Sequence, residues 1–313
     1  MRATNRATVA VAVVGLAGAL AALAVPARAA NPWGPNYFPN VPLTTQNGAT
    51  VRLYDDLLKD KSVAINLIYT SCKDECPLET ARLVQVQRLL GDRVGKDIFF
   101  YSISIDPKRD TPAVLKAYAE KFGVGPGWLF LTGNEDDIKL VARKLGLSRR
   151  NDAANRDGHQ PILMIGNEPT GQWTRSSATA SPKYLATTIS DFMGWKSAPS
   201  ERRYTAAQLR APDAGLLLFQ NRCSACHTVG KGDTVGPDLA GVSTRRERDW
   251  LARYLRHPDR MLTENDPIAV ALFEKYKNVP MPNLHLTDDE ITTLLSFLDA
   301  SAARGSSEPA ARR

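Results

Sequence analysis

Cysteine and histidine are scarce in this chain, with four of each in 313 residues. So few cysteines exclude a disulfide-rich scaffold. They fall in two tight pairs, Cys72/Cys76 and Cys223/Cys226, and neither resembles a long-range structural staple. A strong charge imbalance is also missing. The formal charge is +7, but Arg2, Arg6 and Arg28 lie in a leading segment without an acid; beyond it, 37 basic residues face 33 acidic ones. An excess this small and dispersed argues against nucleic acid as a partner and fits a protein that meets an acidic partner or an anionic membrane surface. No internal repeat is present. What remains is an ordinary globular composition, 43% hydrophobic and 23% charged, in a chain long enough for two domains.

Residues 1–29 have the layout of an export signal: two arginines, an uncharged alanine- and valine-rich run, Pro26, then "ARA" with cleavage expected after Ala29. An uncleaved inner-membrane anchor is the alternative, because the uncharged run from Ala7 to Ala27 is nominally long enough to span. Either reading places the rest of the chain in a bacterial periplasm. Thiols there become disulfides unless chemistry claims them.

From the Asn47-Gly48 hairpin signal to about Trp195, strand-like and helix-like stretches alternate. "SVAINLIYT" and "DIFFYSIS" are apolar runs of the buried-strand kind, and "WLFLTG" and "PILMIG" are shorter candidates. Between them, Leu115, Tyr118, Ala119 and Phe122 share one helix face, as do Ile138, Val141, Ala142 and Leu145 behind a cap at Asn134. Ser181-Pro182 starts a further helix carrying Leu185, Ile189 and Phe192. This alternation predicts an α/β domain over residues 30–196. Residues 197–211 read as a linker. Residues 212–303 show helical patterns only, the last opened by a Thr287/Glu290 capping box, and 304–313 read as a disordered tail.

"CSACH", residues 223–227, has the spacing of c-type haem attachment. Two thiols add to the haem vinyl groups, and the next residue, His227, reaches under the iron. "TVGPDLAGV" follows at the distance of a haem-covering loop, and "VPMPNLHLTDDEITTLLSFL" comes about sixty residues on. The stretch from Asp213 to Ala303 resembles a class I cytochrome c. The resemblance implies one covalent haem c on Cys223 and Cys226, with His227 as proximal and Met281 as distal ligand. Met281 lies between two prolines in an exposed loop, a poor place for a core filler; Met261 is the competing methionine. His257 and His285 offer a bis-histidine alternative, but both sit among polar or proline residues. An iron with both axial positions filled suits electron transfer rather than oxygen or peroxide activation.

Cys72 and Cys76 are spaced i, i+4 between the strand "INLIYT" and a helix bearing Leu83, Val86 and Leu90. That spacing can put both sulfurs on one face of a first helical turn, where the helix N-terminus favours the thiolate. The pair reads as a redox dithiol or a soft metal site, with a static disulfide as the bland alternative. His159 is the one histidine in this half of the chain. Two thiolates and an imidazole suit copper, Cu(I) especially, whereas structural zinc would want a fourth ligand, for which Asp157 is the nearby candidate.

"NLIYTSCKDECPLET", "SISIDPKRDTPAVLKAYAEKFG", "WLFLTG" and "DGHQPILMIG" together resemble the Sco/SenC family of copper-binding, thioredoxin-fold proteins over roughly residues 35–196. In that family's pattern the histidine directly follows an aspartate, whereas here Gly158 intervenes. The resemblance implies an α/β thioredoxin-like domain followed by the all-α cytochrome c domain. It implies one copper ion on Cys72, Cys76 and His159, and work on the CuA centre of cytochrome c oxidase, with that subunit or its assembly factors as partners. The attached haem would trade electrons with respiratory donors or acceptors. Two other readings stand beside it: a thiol-disulfide oxidoreductase whose redox pair is Cys72/Cys76, and a peroxide-reactive thioredoxin-fold protein.

Overall fold

The computed structural model describes residues 33–73, 75–147, 160–195 and 213–305. The export segment, His159 with Asp157 and Gly158, the linker at 197–211 and the end of the tail lie outside the described residues. Among the described residues no helix is long and apolar enough to cross a membrane.

The apolar runs form a seven-stranded mixed sheet. In chain order its strands are β1 (Pro42–Thr45), β2 (Thr50–Arg52), β3 (Ser62–Ile68), β4 (Phe99–Ser104), β5 (Trp128–Gly133), β6 (Ile162–Asn167) and β7 (Gln172–Ser177). Their spatial order is β2-β1-β5-β4-β3-β6-β7. β3, β4 and β5 run parallel at the centre, with antiparallel strands outside them. Continuous apolar sequence in β3 to β5 follows from this position, because helices cover both faces.

Alternation along each strand splits the core in two. Ala64, Ile68, Phe100, Phe130 and Ile165 face one side, under α1 (Glu75–Leu90), α2 (Pro112–Phe122) and α4 (Pro182–Phe192). Val63, Ile65, Tyr101, Ile103 and Leu131 face the other, under the turn Leu53–Leu58 and α3 (Glu135–Lys144). The helices begin at the signalled caps: Thr111 accepts from Val114, Asn134 from Asp136 and Asp137, and Ser181 from Tyr184.

Two details depart from expectation. The hairpin between β1 and β2 is not a two-residue turn. Thr45 accepts from Gly48, only Gly48 takes a positive φ (83°), and Thr45 pairs on to Ala49, so the loop is longer and ends in a left-handed glycine. β7 has no strong apolar signal, because it is an edge strand with alternate residues in solvent.

The second half is helical: α5 (Ala214–Arg222), α6 (Val242–Arg245), α7 (Arg248–Arg256), α8 (Pro258–Thr263), α9 (Pro267–Lys275) and α10 (Asp288–Gly305). α5 and α10 pack through Phe219 and Phe297, ring centroids 5.6 Å apart, with Leu251, Ile291, Leu294 and Leu298 completing the core. The Thr287/Glu290 box closes in both directions.

The linker reading suggests two bodies that meet only transiently. The described residues instead pack against one another within one compact unit, Asn31–Arg313. Ala225 is buried in the core cluster beneath α1, with Cys226, Val235 and Val279 packed against it. Gln85 of α1 donates to the carbonyls of Ser224 (2.9 Å) and Ala225 (3.2 Å), and Arg82 donates to that of Asn221. An apolar rim around the CSACH turn needs cover, and α1, buried nearly all round, supplies it.

Candidate metal and haem sites

β3 delivers the chain to the first site, and Asp110 fixes its exit. This fully buried carboxylate accepts from the Thr70 amide (3.0 Å), the Thr70 hydroxyl (2.5 Å) and the Ser104 hydroxyl (2.6 Å). Charge-assisted bonds of this kind hold a loop rigidly. Cys72 follows, 5% exposed, and Cys76 is fully buried as the second residue of α1. The hydrogen bond with Cys72 and burial push the Cys76 thiol far up. At Cys76 the thiolate preference expected of a helix start is outweighed by the bond with Cys72 and by burial.

One turn on, Glu79 is completely buried and accepts from Asn66 Nδ2 at 2.8 Å. Asn66 accepts from Ser102, which accepts from the Trp128 indole, so a polar line crosses the sheet interior. Burial raises the Glu79 carboxyl well above the usual range. Sequence reasoning missed Glu79 and Asn66. Their signal is polarity inside otherwise apolar runs: asparagine at the middle of "AINLI", glutamate one turn past Cys76. Among the described residues no three potential ligands cluster, and His159, the expected third, lies outside them.

The second site is built on the CSACH turn after α5. The His227 amide donates to Cys223 O (3.0 Å) and the Gly236 amide to Cys226 O (2.8 Å). His227 Nδ1 lies 2.9 Å from Pro237 O. A carbonyl can only accept, so Nδ1 carries the proton and Nε2 is left for a metal. Burial lowers the pKa of the ring, in keeping with a neutral imidazole. Gly236 is needed here, since a Cβ would fall 2.6 Å from His227 Cε1. Asp238 clamps the loop, accepting from the amides of Gly230, Gly232 and Ala240.

His227 and Met281 both line two adjoining cavities of about 400 and 480 Å3. Leu272, Tyr254 and Tyr276 line both as well. An apolar slot with a neutral imidazole, a thioether and two thiols at its edge fits a covalently attached haem. Met261 is 2% exposed on α8 and lines neither cavity; it packs the core. His257 and His285 are exposed.

The first cavity is also lined from the other half of the chain. Thr70, Ser71, Cys72 and Lys73 border it together with Cys226, His227 and Met281. The fold therefore brings Cys72 and the CSACH turn to one opening, with Cys76 one turn behind.

Comparison with known proteins divides the chain in the same way. Residues 36–185 match the SCO1/SenC family model and residues 212–302 the cytochrome c model. An SCO2-like protein of Rickettsia felis is 40% identical over 123 residues, 39% of this chain and 57% of its own. The chain spans about half the length of the curated relatives it matches first. Copper-bound ScoI of Bradyrhizobium japonicum is 27% identical, with a TM-score of 0.40 over 49% of this chain and 99% of that one. The cytochrome c domain of a Pseudomonas putida protein is 46% identical, with a TM-score of 0.27 over 29% of this chain and 89% of that one.

Proposed function

We propose that the protein, whose residues 36–185 match the SCO1/SenC family model and residues 212–302 the cytochrome c model, handles copper for assembly of the CuA centre of cytochrome c oxidase and carries its own electron carrier for that work. Cys72, Cys76 and His159 hold the copper as cargo. Cys223 and Cys226 hold one haem c, with His227 and Met281 on the iron. The haem supplies one-electron exchange. The chain is exported to the periplasm by residues 1–29, and its partners are the oxidase subunit that receives copper, or its assembly factors, and respiratory electron carriers.

One observation carries this reading: Cys72 and Lys73 line the same cavity as Cys226, His227 and Met281. Copper enters as a thiolate complex, and target cysteines must be kept reduced in an oxidising compartment. A carrier beside the site meets that need. Asp110 holds the approach to Cys72, Pro237 orients His227, and Gln85 and Arg82 keep the two halves in register.

The contact between the Cys72 and Cys76 thiols also favours a second reading, a thiol-disulfide oxidoreductase coupled to the respiratory chain. Copper binding separates the two. The purified mature protein should take up one copper beyond its haem iron. On reduction of that site, the haem absorbance should change at a rate independent of protein concentration. A chain that oxidises and reduces its dithiol normally but binds no copper leaves the oxidoreductase standing. A rate that scales with dilution removes the internal exchange.

A further inference from the structure

Arg82 lies at the seam between the two halves, with its side chain fully buried. One guanidinium nitrogen donates to Ala180 O at 3.3 Å and another to Asn221 O. The remaining donor, Nε, is buried and meets no acceptor. Among the described residues no carboxylate forms an ion pair with it. The charged or ionisable groups that face it are the haem cysteines Cys226 and Cys223, and Arg222, which repels it. Burial accordingly lowers its pKa from the ordinary arginine value, but an arginine stays protonated under such a shift.

A cation in that position is costly, and packing does not require one. An apolar side chain of similar volume would fill the seam without desolvating a charge. What a charge adds is a field, and buried charges act on their neighbours with little screening. Iron gains one negative charge on reduction, so a fixed cation nearby favours the reduced form.

Building on the proposed function, we infer that Arg82 is a positioning residue for electron exchange: its charge raises the affinity of a haem on Cys223 and Cys226 for an electron. With copper on Cys72 and Cys76 and haem on Cys223 and Cys226, the exchange would move one electron at a time between the Cu(I)/Cu(II) and ferrous/ferric couples, with no proton or leaving group to place. Gln85 lies at the same seam and binds the same turn without a charge. It separates field from docking.

The test is an equilibrium redox titration of the haem in full-length, copper-free protein, comparing Arg82→Met, Arg82→Lys and Gln85→Ala with the unaltered chain. Arg82→Met should lower the ferrous-to-ferric ratio at a fixed solution potential about tenfold, roughly 59 mV for one electron. Arg82→Lys should keep most of the original potential, and Gln85→Ala should keep all of it. Equal potentials for Met and the unaltered chain would overturn the inference. So would a drop in Gln85→Ala as large as that in Arg82→Met, because docking would then be the cause. If Arg82→Met does not fold, Arg82→Gln, which removes the charge but keeps hydrogen-bond donors, takes its place: a fall of similar size supports the charge role, and an unchanged potential overturns it. The titration needs no copper, so its outcome stands apart from that of the copper reading, which fails instead if the unaltered protein binds none.

Discussion

The backbone N–H of Asn283 donates to the carbonyl of Lys73 at 3.2 Å. Lys73 follows Cys72, and Asn283 stands two residues beyond Met281. The loop of the first cysteine pair and the loop that carries Met281 are thus joined by a main-chain hydrogen bond. Forming a Cys72–Cys76 disulfide, with the iron kept ferric, should shift the weak near-infrared sulfur-to-iron band. The same oxidant should leave the band of a Cys72→Ser/Cys76→Ser protein alone. An unmoved band in the unaltered chain would mean that the loops are joined but not coupled.

The two methionines should behave in opposite ways. Met281→Ala should abolish the near-infrared band and lower the haem potential, since a thioether ligand favours reduced iron. Met261→Ala should keep the band and cost about 2–5 kcal/mol in denaturant unfolding, the usual range for emptying a core methionine position. Loss of the band in the Met261 variant would reverse the assignment.

Copper should bind near one equivalent. Cys72→Ser, Cys76→Ser and His159→Ala should each weaken it at least tenfold in competition with a Cu(I) chelator, because a three-ligand site loses a large share of its binding with any one ligand. The Cu(II) spectrum of His159→Ala is the sharpest check: if it matches that of the unaltered protein, the imidazole is not a ligand.

Asp238 supplies a pH test. Burial works to raise its pKa, but the amides of Ala240, Gly230 and Gly232 outweigh it and bring the value down from 3.8 to about 2. A depressed carboxylate stabilises the fold above its ordinary value and loses that contribution as pH falls toward the folded value. Melting temperature should therefore drop between about pH 4 and pH 2 partly through this group. Asp238→Asn should melt lower at neutral pH and show a flatter acid limb. An acid limb unchanged in slope would assign the loss to other groups.

Much of the fold was legible because its signals are local. The periodicity of Leu115–Phe122 and of Ile138–Leu145, the caps at Asn134 and Ser181, and the Thr287/Glu290 box each act within a few residues of chain. The cytochrome c match over residues 212–302 was legible for the same reason, since the spacing of Cys223, Cys226 and His227 is a local signal. What escaped was long-range. Nothing near Arg82 or Gln85 announces a carbonyl 139 residues away. Asp110 reads as part of a turn before α2, and only the folded chain shows it holding Thr70, forty residues back. The prolines around Met281 set it apart from Met261 in the sequence, and the fold adds that Met281 lines the same two cavities as His227.

Cys72, 5% exposed, opens onto the cavity that the haem half also lines. If the protein delivers copper as proposed, loading and unloading would be unequal events. A protein acceptor would reach Cys72 only once the grip of Arg82 and Gln85 on the segment Asn221–Ala225 is released. Delivery would then be clocked by that first-order opening. At high acceptor concentration its rate would level off at a ceiling set by the donor alone, the same for every protein that comes to collect.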